Sequence, residues 1–238
     1  MFSKLNTNTD LEESIDTLGG GGSFTVPSDI YELVIKQAYG HVAASGAMAV
    51  HLELGVTGRE NPYSETIYVT NKNGENFYTR NGKNFPLPGF SIIEDICLIT
   101  TGSGLSEQPH EDKLVNIWDF ESSKFIPKER PVLVDLIGKK FSGGILEIRE
   151  NKTAKNQSTG KYEPINEERI INNLQKVWDT DSQLTVFEAR NDKDPEFWDA
   201  WIDKYAGNLQ DKYKEVKGGA AAGSAGSSRP SKLKFGNK

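Results

Sequence analysis

The sequence predicts a mainly β protein with added helices, built as an OB-fold-like five-stranded Greek-key barrel with long insertions and a C-terminal helix. Three observations support this prediction. Several short segments are rich in β-branched and aromatic residues or alternate apolar with polar side chains, as strands do. Turn-forming pairs such as Asn81-Gly82 separate these segments. One helical segment follows the third strand, and three strands, a helix and two more strands is the element order of an OB-fold.

The first strands lie in the N-terminal half of the chain. Residues 30–39 form the first candidate, and residues 47–54 alternate apolar and polar side chains as a half-buried strand does. Residues 65–70 combine β-branched and aromatic side chains, which strands favour. A turn at 71–74 then leads into a short strand at 75–79.

The register of the third strand decides which aromatic ring is displayed. If Ile67 and Val69 face the core, then Thr66, Tyr68 and Thr70 face outward, because side chains alternate along a strand. A tyrosine in the middle of a barrel face is well placed to stack on a base. The alternative is that a loop or the C-terminal helix buries this ring.

The later elements are a helix and three strands. Residues 90–99 follow a Pro-Gly pair and lack alternation, which favours a helix. Residues 132–137 and 144–149 are two strands, or one long strand bent at Gly143-Gly144. Residues 184–189 form the last predicted strand.

A second helix and two long insertions complete the body. Asp194-Pro195 is typical of a helix start, with Asp as the cap and Pro in the first turn. Helical spacing then relates four apolar residues, Phe197, Trp201, Tyr205 and Leu209. Residues 105–130 and 150–183 are predicted as long insertions, and loops of such length are usually functional or mobile.

Composition divides the chain into three parts. Residues 1–23 form an N-terminal arm with a short helix at 10–18 and a Gly-rich joint, and residues 24–217 form the OB-like domain. Residues 218–238 are rich in Gly, Ala and Ser, which predicts a flexible tail. The formal net charge is −6, yet every ionised side chain of this tail is basic. Charge is therefore segregated, which keeps an anionic partner possible.

The sequence contains no recognisable catalytic or metal-binding constellation. His41, His51 and His110 are not at metal-ligand spacing. Cys97 lies in an apolar segment without an obvious base, and no second cysteine could form a disulfide with it. We therefore expect no metal, no cofactor and no enzymatic activity. The lone cysteine, and the lack of a secretory signal or a long apolar run, predict a cytoplasmic protein.

Basic and aromatic residues are interleaved in two polar segments. Single-strand binders need both types, because cations follow the phosphates while flat rings stack on bases. The candidate stacking residues are Tyr68, Tyr78 and Phe77. Because Phe77 and Tyr78 point to opposite faces, we expect one of them to be in the core. The candidate phosphate contacts are Lys36, Lys72, Arg80, Lys83, Arg149, Lys152 and Lys155.

The C-terminal end carries a short basic sequence with two apolar residues. Its candidate partner-binding residues are Arg229, Lys232, Leu233, Lys234, Phe235 and Lys238. A flexible linker that ends in such a sequence is suited to docking on the acidic surface of another protein. The alternative is a basic end that only adds affinity for phosphates.

Several stretches resemble one family of DNA-binding proteins. Residues 65–78, 87–90, 100–108 and 131–139 are similar to segments of the single-stranded DNA-binding proteins of podophages that carry a giant virion-packaged RNA polymerase. The resemblance implies a role in replication, recombination and transcription of phage DNA in the cytoplasm of a bacterial host. It also implies a DNA-contacting tyrosine in the strand that holds Tyr68. Most single-strand binders end in an acidic tail, so the basic end of this chain departs from the pattern.

Two other classes of function stay open at this stage. A non-catalytic β-barrel that binds only protein, with the basic tail docked on a partner, would account for the acidic body. A nuclease or ligase fragment on an OB-fold is the third, although no catalytic constellation supports it. Binding of single-stranded DNA, with RNA polymerase or phage replication proteins as further partners, is the leading hypothesis.

Overall fold

The computed structural model describes residues 25–119 and 122–216. The predicted helix at 10–18, the Gly-rich joint and the C-terminal tail lie outside these residues. Within them the chain is mainly β. The strands are β1 (Asp29–Val42), β2 (Met48–Val56), β3 (Tyr63–Tyr68), β4 (Phe77–Arg80), β5 (Lys83–Pro86), β6 (His110–Asp119), β7 (Lys124–Leu133), β8 (Lys140–Lys155), β9 (Tyr162–Trp178) and β10 (Gln210–Asp211). The α-helices are α1 (Pro88–Thr101), α2 (Val186–Arg190) and α3 (Glu196–Tyr205).

One large sheet organises these elements. Its main path runs β10-β8-β1-β2-β3. β9 pairs with β8 along the edge opposite β1. Neighbours on the path are antiparallel except for β10, which is parallel to β8. β6 and β7 form a hairpin that joins the sheet where Val132 faces Tyr39. β4 and β5 form a separate hairpin.

The main core lies between this sheet and α1. It contains apolar side chains of β1, β2, β3, β8 and β9 together with Ile92, Ile93, Ile96 and Cys97 of the helix. The first turn of α1 lies directly against β3, because a Cβ on Gly89 would be 2.3 Å from the carbonyl oxygen of Tyr68. Glycine is therefore required at this contact.

A second cluster seals the other side of β8. Trp178 and Trp201 are fully buried and meet edge to face, with ring centroids 5.9 Å apart. A Cβ on Gly144 would lie 2.8 Å from the Trp201 ring, so glycine lets α3 approach the strand. Trp178, Trp198 and Trp201 are therefore packing residues.

The two outer strands β3 and β9 do not pair through their backbones, so the described residues form no closed barrel. The Glu65 carboxylate bridges them instead. It accepts hydrogen bonds from the Leu174 amide at 2.8 Å, from Asn173 Nδ2 at 2.9 Å and from the Tyr63 hydroxyl. Burial raises the pKa of Glu65, while these donors act in the opposite direction.

Most of the predicted elements are present. The segments predicted at 30–39, 47–54 and 65–70 correspond to β1, β2 and β3, and the helix predicted at 90–99 corresponds to α1. The short strand expected at 75–79 corresponds to β4, which turns into β5 at Asn81-Gly82. The mainly β prediction is confirmed.

The prediction of a strand at 132–137 was wrong, and so was the alternative of one long strand bent at Gly143-Gly144. β7 ends at Leu133, and Val134–Leu136 is a 3₁₀ turn. Gly138 has a φ of 78°, and its amide bonds the Ile35 carbonyl at 2.8 Å. This turn reverses the chain, so β8 begins afresh at Lys140.

The predicted strand at 184–189 is instead helix α2. Thr185 Oγ1 accepts a hydrogen bond from the Glu188 amide at 3.1 Å, and the Glu188 carboxylate accepts one from the Thr185 amide at 2.9 Å. This reciprocal capping box starts a helix and outweighs the β-branched composition of the segment.

The predicted insertions are also regular structure rather than loops. Residues 105–130 contain most of the β6–β7 hairpin, and residues 150–183 contain the end of β8 and all of β9. Cross-strand ladders satisfy their backbone groups, although their side chains are polar. The N-cap residue of α3 is Pro195 rather than Asp194, and the helix ends at Tyr205, before Leu209. No helix in the described ranges is long and apolar enough to cross a membrane.

Candidate nucleic-acid interface

The outer face of β2 and β3 displays Tyr68. Its side chain is 51% exposed, whereas the flanking Ile67 and Val69 are buried. The residue opposite Tyr68 on β2 is Ala49, which is too small to cover the ring. The predicted register is therefore confirmed for these residues.

The same register prediction was wrong for Thr70. β3 ends at Tyr68, and the Thr70 side chain turns inward to 6% exposure. Its Oγ1 accepts a hydrogen bond from the Met48 amide at 2.9 Å. This bond begins the turn that leads from β3 to β4.

A histidine and a buried tyrosine continue the outer face toward β1. His51 Nδ1 lies 2.9 Å from Thr66 Oγ1, and its ring is 4.9 Å from that of Tyr39. Tyr39 is buried beneath Val115 and Val132 of the β6–β7 hairpin. Burial, and secondarily His41, lower the pKa of His51. This ring is therefore neutral at pH 7 and adds no positive charge to the face.

The β4–β5 hairpin carries a stacked pair of exposed rings. Tyr78 and Phe85 face each other across the hairpin, with centroids 5.7 Å apart and planes inclined by 26°. Their side chains are 45% and 40% exposed. Asn81 and Gly82 both have positive φ, as the two central residues of a type I′ turn do. Phe77, which precedes the pair, is half-buried and belongs to no core cluster of the described residues, so the expectation that one of Phe77 and Tyr78 lies in the core was wrong.

Three predicted phosphate contacts belong to this part of the chain: Arg80 and Lys83 face each other on the hairpin, and Lys72 lies in the turn that precedes it. Lys72, Arg80 and Lys83 are exposed, and none of them belongs to an ion pair within the described ranges. The nearest carboxylate in sequence, Glu75, accepts a hydrogen bond from Asn71 instead of contacting a cation. We call Tyr68, the Tyr78–Phe85 pair and these three cations the hairpin site.

Lys36 lies elsewhere on the sheet. Its side chain passes over Gly55, where a Cβ would be 2.7 Å from Lys36 Cε. It lines a shallow depression together with Glu53 and Glu60. Nearby carboxylates therefore reduce the positive field of Lys36.

The remaining predicted cations belong to β8 and are not brought to the hairpin site. Asp29 at the start of β1 faces Ile145, so residues 149–155 extend beyond that end of β1. Tyr68 lies at the opposite end, because Ala49, which faces it, pairs with His41. Arg149, Lys152 and Lys155 therefore lie away from Tyr68.

Two of these cations are bound to carboxylates. Arg149 Nε donates to Glu168 at 2.7 Å and its Nη1 donates to Asp211 at 3.1 Å, while its guanidinium lies over the Tyr213 ring. Lys152 Nζ lies 3.1 Å from Glu167. Lys155 is exposed and has no ion pair in the part of the chain that the structure describes.

The sequence analysis missed several exposed rings. Phe85 is the stacking partner of Tyr78. It lies four residues after Asn81 on the strand that follows the turn, and this position could have indicated that the two rings face each other. Trp118 and Phe125 form an edge-to-face pair on the β6–β7 hairpin, with centroids 5.1 Å apart. Leu114 lies on the same face of β6 and is exposed. The alternation of side-chain direction along β6 could have indicated that Leu114 and Trp118 share one face.

No group of three or more His, Cys, Asp or Glu residues in the described ranges could hold a metal ion. Burial, and secondarily Glu94, raises the pKa of the Cys97 thiol to about 12, so this thiol stays protonated and unreactive.

Comparisons with known proteins give no identification. No family model matches the chain, and no curated protein matches it either.

Proposed function

We propose that this chain is a non-catalytic, sequence-tolerant single-stranded DNA-binding protein that acts in phage DNA replication, recombination and transcription. One observation carries the proposal: the exposed Tyr78–Phe85 stack lies among cations that no carboxylate neutralises. Stacked rings bind bases, and free cations bind phosphates. The resemblance of several segments to podophage single-strand binders supports the same function.

We also propose that the sheet is an open variant of the OB-fold. Strands β3, β2, β1, β8 and β9 are neighbours in that order, and α1 connects β3 to the second half of the sheet. An OB-fold has the same order of strands and binds oligonucleotides on its second and third strands. Tyr68 lies on the third strand here. The Glu65 carboxylate would join β3 to β9 where a closed barrel has backbone pairing.

Bases would stack on Tyr68 and on the outer surfaces of the Tyr78–Phe85 pair. Each such contact contributes about 1–3 kcal/mol and tolerates any base, because every base has a flat π face. Lys72, Arg80 and Lys83 would contact the phosphates. Each phosphate neutralised on a single strand adds about 0.7 to the magnitude of the log–log salt dependence.

Fluorescence anisotropy with a labelled oligo-dT tests this function. We expect salt-sensitive binding that an unlabelled duplex of equal length does not compete away. Tyr68→Ala should weaken this binding at least about fivefold, while Tyr68→Phe, which keeps the ring, should stay close to the wild type. A wild-type chain that does not bind oligo-dT at low salt would rule out the function.

Binding of another protein is a second candidate function, and a different observation favours it. The face of the β6–β7 hairpin that carries Leu114, Trp118 and Phe125 is apolar and exposed, and such faces often mark interaction surfaces. A protein-only module would show no salt-dependent affinity for oligo-dT. The basic end at 229–238 lies outside the described residues, and its docking on RNA polymerase or replication proteins stays a prediction.

A further inference from the structure

A cleft opens beside the turn at 70–76, which precedes the β4–β5 hairpin. It has a volume of about 750 Å³, within the range of small-molecule sites. Three distant segments form most of its walls: the ends of β1 and β2 that flank their turn, residues 69–76, and residues 130–133 of β7. Phe90 of α1, Leu105, Ser106 and His110 complete the lining. The β1–β2 turn also touches the 70–76 turn, since a Cβ on Gly46 would lie 3.1 Å from the Lys72 carbonyl oxygen.

The lining of the cleft is largely apolar, and its polar residues come from several segments: His41, Thr70, Asn76, Ser106, His110 and Arg130. Val50, Val69, Phe90 and Leu133 contribute apolar surface, which suits a flat, weakly polar body. The β7 wall adds one cation, Arg130. A ligand with an apolar ring and an anionic group would match both parts of this lining.

Arg130 has unused hydrogen-bonding capacity. Its Nη1 donates to the Glu129 carbonyl at 3.1 Å, whereas its Nε is buried and has no acceptor. No carboxylate of the described ranges forms an ion pair with it. A buried donor without an acceptor is destabilising. An incoming phosphate oxygen would remove this destabilisation and form a charge-assisted bond.

We propose that this cleft binds one nucleotide of the single strand, with the base in the apolar part and a phosphate on Arg130. The inference rests on the proposed function, because it extends the same DNA path. The wall at 70–76, to which Thr70, Gly74 and Asn76 contribute, leads directly into β4, which begins the stacked hairpin. A strand bound at the hairpin site therefore passes the mouth of the cleft.

Two substitutions test the base contact and the phosphate contact separately. Ser106→Trp places a ring at the cleft, because Ser106 is an exposed lining residue whose hydroxyl has no hydrogen bond within the described ranges. It should weaken oligo-dT binding about tenfold, the size expected for one lost base contact. The same variant should bind an abasic oligonucleotide of equal length as the wild type does, since that ligand has no base to exclude. Arg130→Gln should weaken the binding of both ligands about tenfold.

Matched controls exclude effects of ring size and charge. Ser158→Trp adds the same ring to an exposed loop between β8 and β9, and Arg190→Gln removes one exposed cation from α2. Both should bind oligo-dT as the wild type does. Circular dichroism and the urea midpoint of each variant show whether it is folded.

The outcomes separate this inference from the proposed function. If the wild type binds oligo-dT and both cleft variants bind it equally well, the cleft is not a nucleotide site, although the proposed function stands. If the wild type does not bind oligo-dT, the proposed function itself fails. Competition with free thymidine monophosphate tests whether the cleft binds a free nucleotide or a nucleotide of the strand. Tighter binding of this monophosphate than of oligo-dT would overturn the assignment to a nucleotide of the strand.

Discussion

The β4–β5 hairpin and the β8–β9 hairpin look alike in the sequence and differ in their electrostatics. Each combines lysine or arginine with tyrosine. Around β4 and β5 the cations have no carboxylate partner in the described ranges, whereas across β8 and β9 Arg149 and Lys152 contact Glu168, Asp211 and Glu167. A phosphate that approaches the second region therefore meets negative charge beside each of these two cations.

This difference leads us to propose that unpaired charge, rather than the number of basic residues, selects the DNA-binding surface. Exposed ion pairs contribute only about 0–1 kcal/mol to stability, so pairing does not lock Arg149 in place. Its effect is instead on the local potential. One guanidinium between two carboxylates gives a region that is not positive, and steering of DNA needs a positive one.

The largest expected effect comes from removing the stacked rings. The double variant Tyr78→Ala/Phe85→Ala should weaken oligo-dT binding about ten- to 100-fold, because two base contacts are lost and neighbouring losses are not additive. Tyr162→Ala removes a ring that is even more exposed, at 71%, from the β8–β9 hairpin and should have no effect. Anisotropy titrations measure both. Equal losses in the two variants would remove the distinction between the regions.

Neutralising the free cations should have the next largest effect. The triple variant Lys72→Gln/Arg80→Gln/Lys83→Gln should reduce the magnitude of the log–log salt slope by about 2, since each phosphate contact on a single strand contributes about 0.7. The double variant Arg149→Gln/Lys152→Gln should leave the slope almost unchanged. Titrations over a range of salt concentrations give both slopes. A larger change in the double variant would indicate that DNA lies along β8.

Removing the carboxylates tests whether ion pairing keeps the cations of the β8–β9 hairpin from binding DNA. The double variant Glu167→Gln/Glu168→Gln frees Lys152 and removes one of the two carboxylates that contact Arg149. We expect oligo-dT affinity to rise about threefold at low salt and to fall back at moderate salt, where exposed charges are screened. Glu163→Gln, on the same strand but in no ion pair of the described ranges, is the control. An unchanged affinity would mean that these cations are too far from the bound strand.

The smallest effect concerns pH and the histidines beside Tyr68. Burial lowers the pKa of His51 and His41 in the folded chain. The unfolded chain therefore binds protons first, and stability present above the unfolded pKa of about 6.5 falls as the pH drops through it. We expect the urea midpoint to decrease between pH 7 and pH 5, and to decrease less in His51→Gln. Equal slopes would show that His51 does not contribute.

Local signals were enough to predict the elements of the hairpin site. Alternation around Ile67 indicated that Tyr68 is displayed, and Asn81-Gly82 indicated the turn that brings Tyr78 toward its partner strand. Both depend on residues that are close in the chain. Positive φ in the turn and the period of the strand act without tertiary context.

Contacts between distant residues could not be predicted from the sequence. Arg149 meets Asp211 from far along the chain only because β10 adds to β8. The cleft that contains Arg130 likewise needs three separate segments. The helix at 186–190 was missed for a different reason, since the reciprocal bonds of Thr185 and Glu188 outweighed strand propensity.

Ultraviolet cross-linking of the wild-type chain to oligo-dT, followed by mass spectrometry of the peptides, tests the location of the DNA most directly. Thymine cross-links to aromatic rings that it contacts, so the account predicts modified residues at Tyr68, Tyr78 or Phe85 and none at Tyr162. Cross-links confined to the β8–β9 hairpin would contradict the central claim that uncompensated cations around exposed rings select the binding surface.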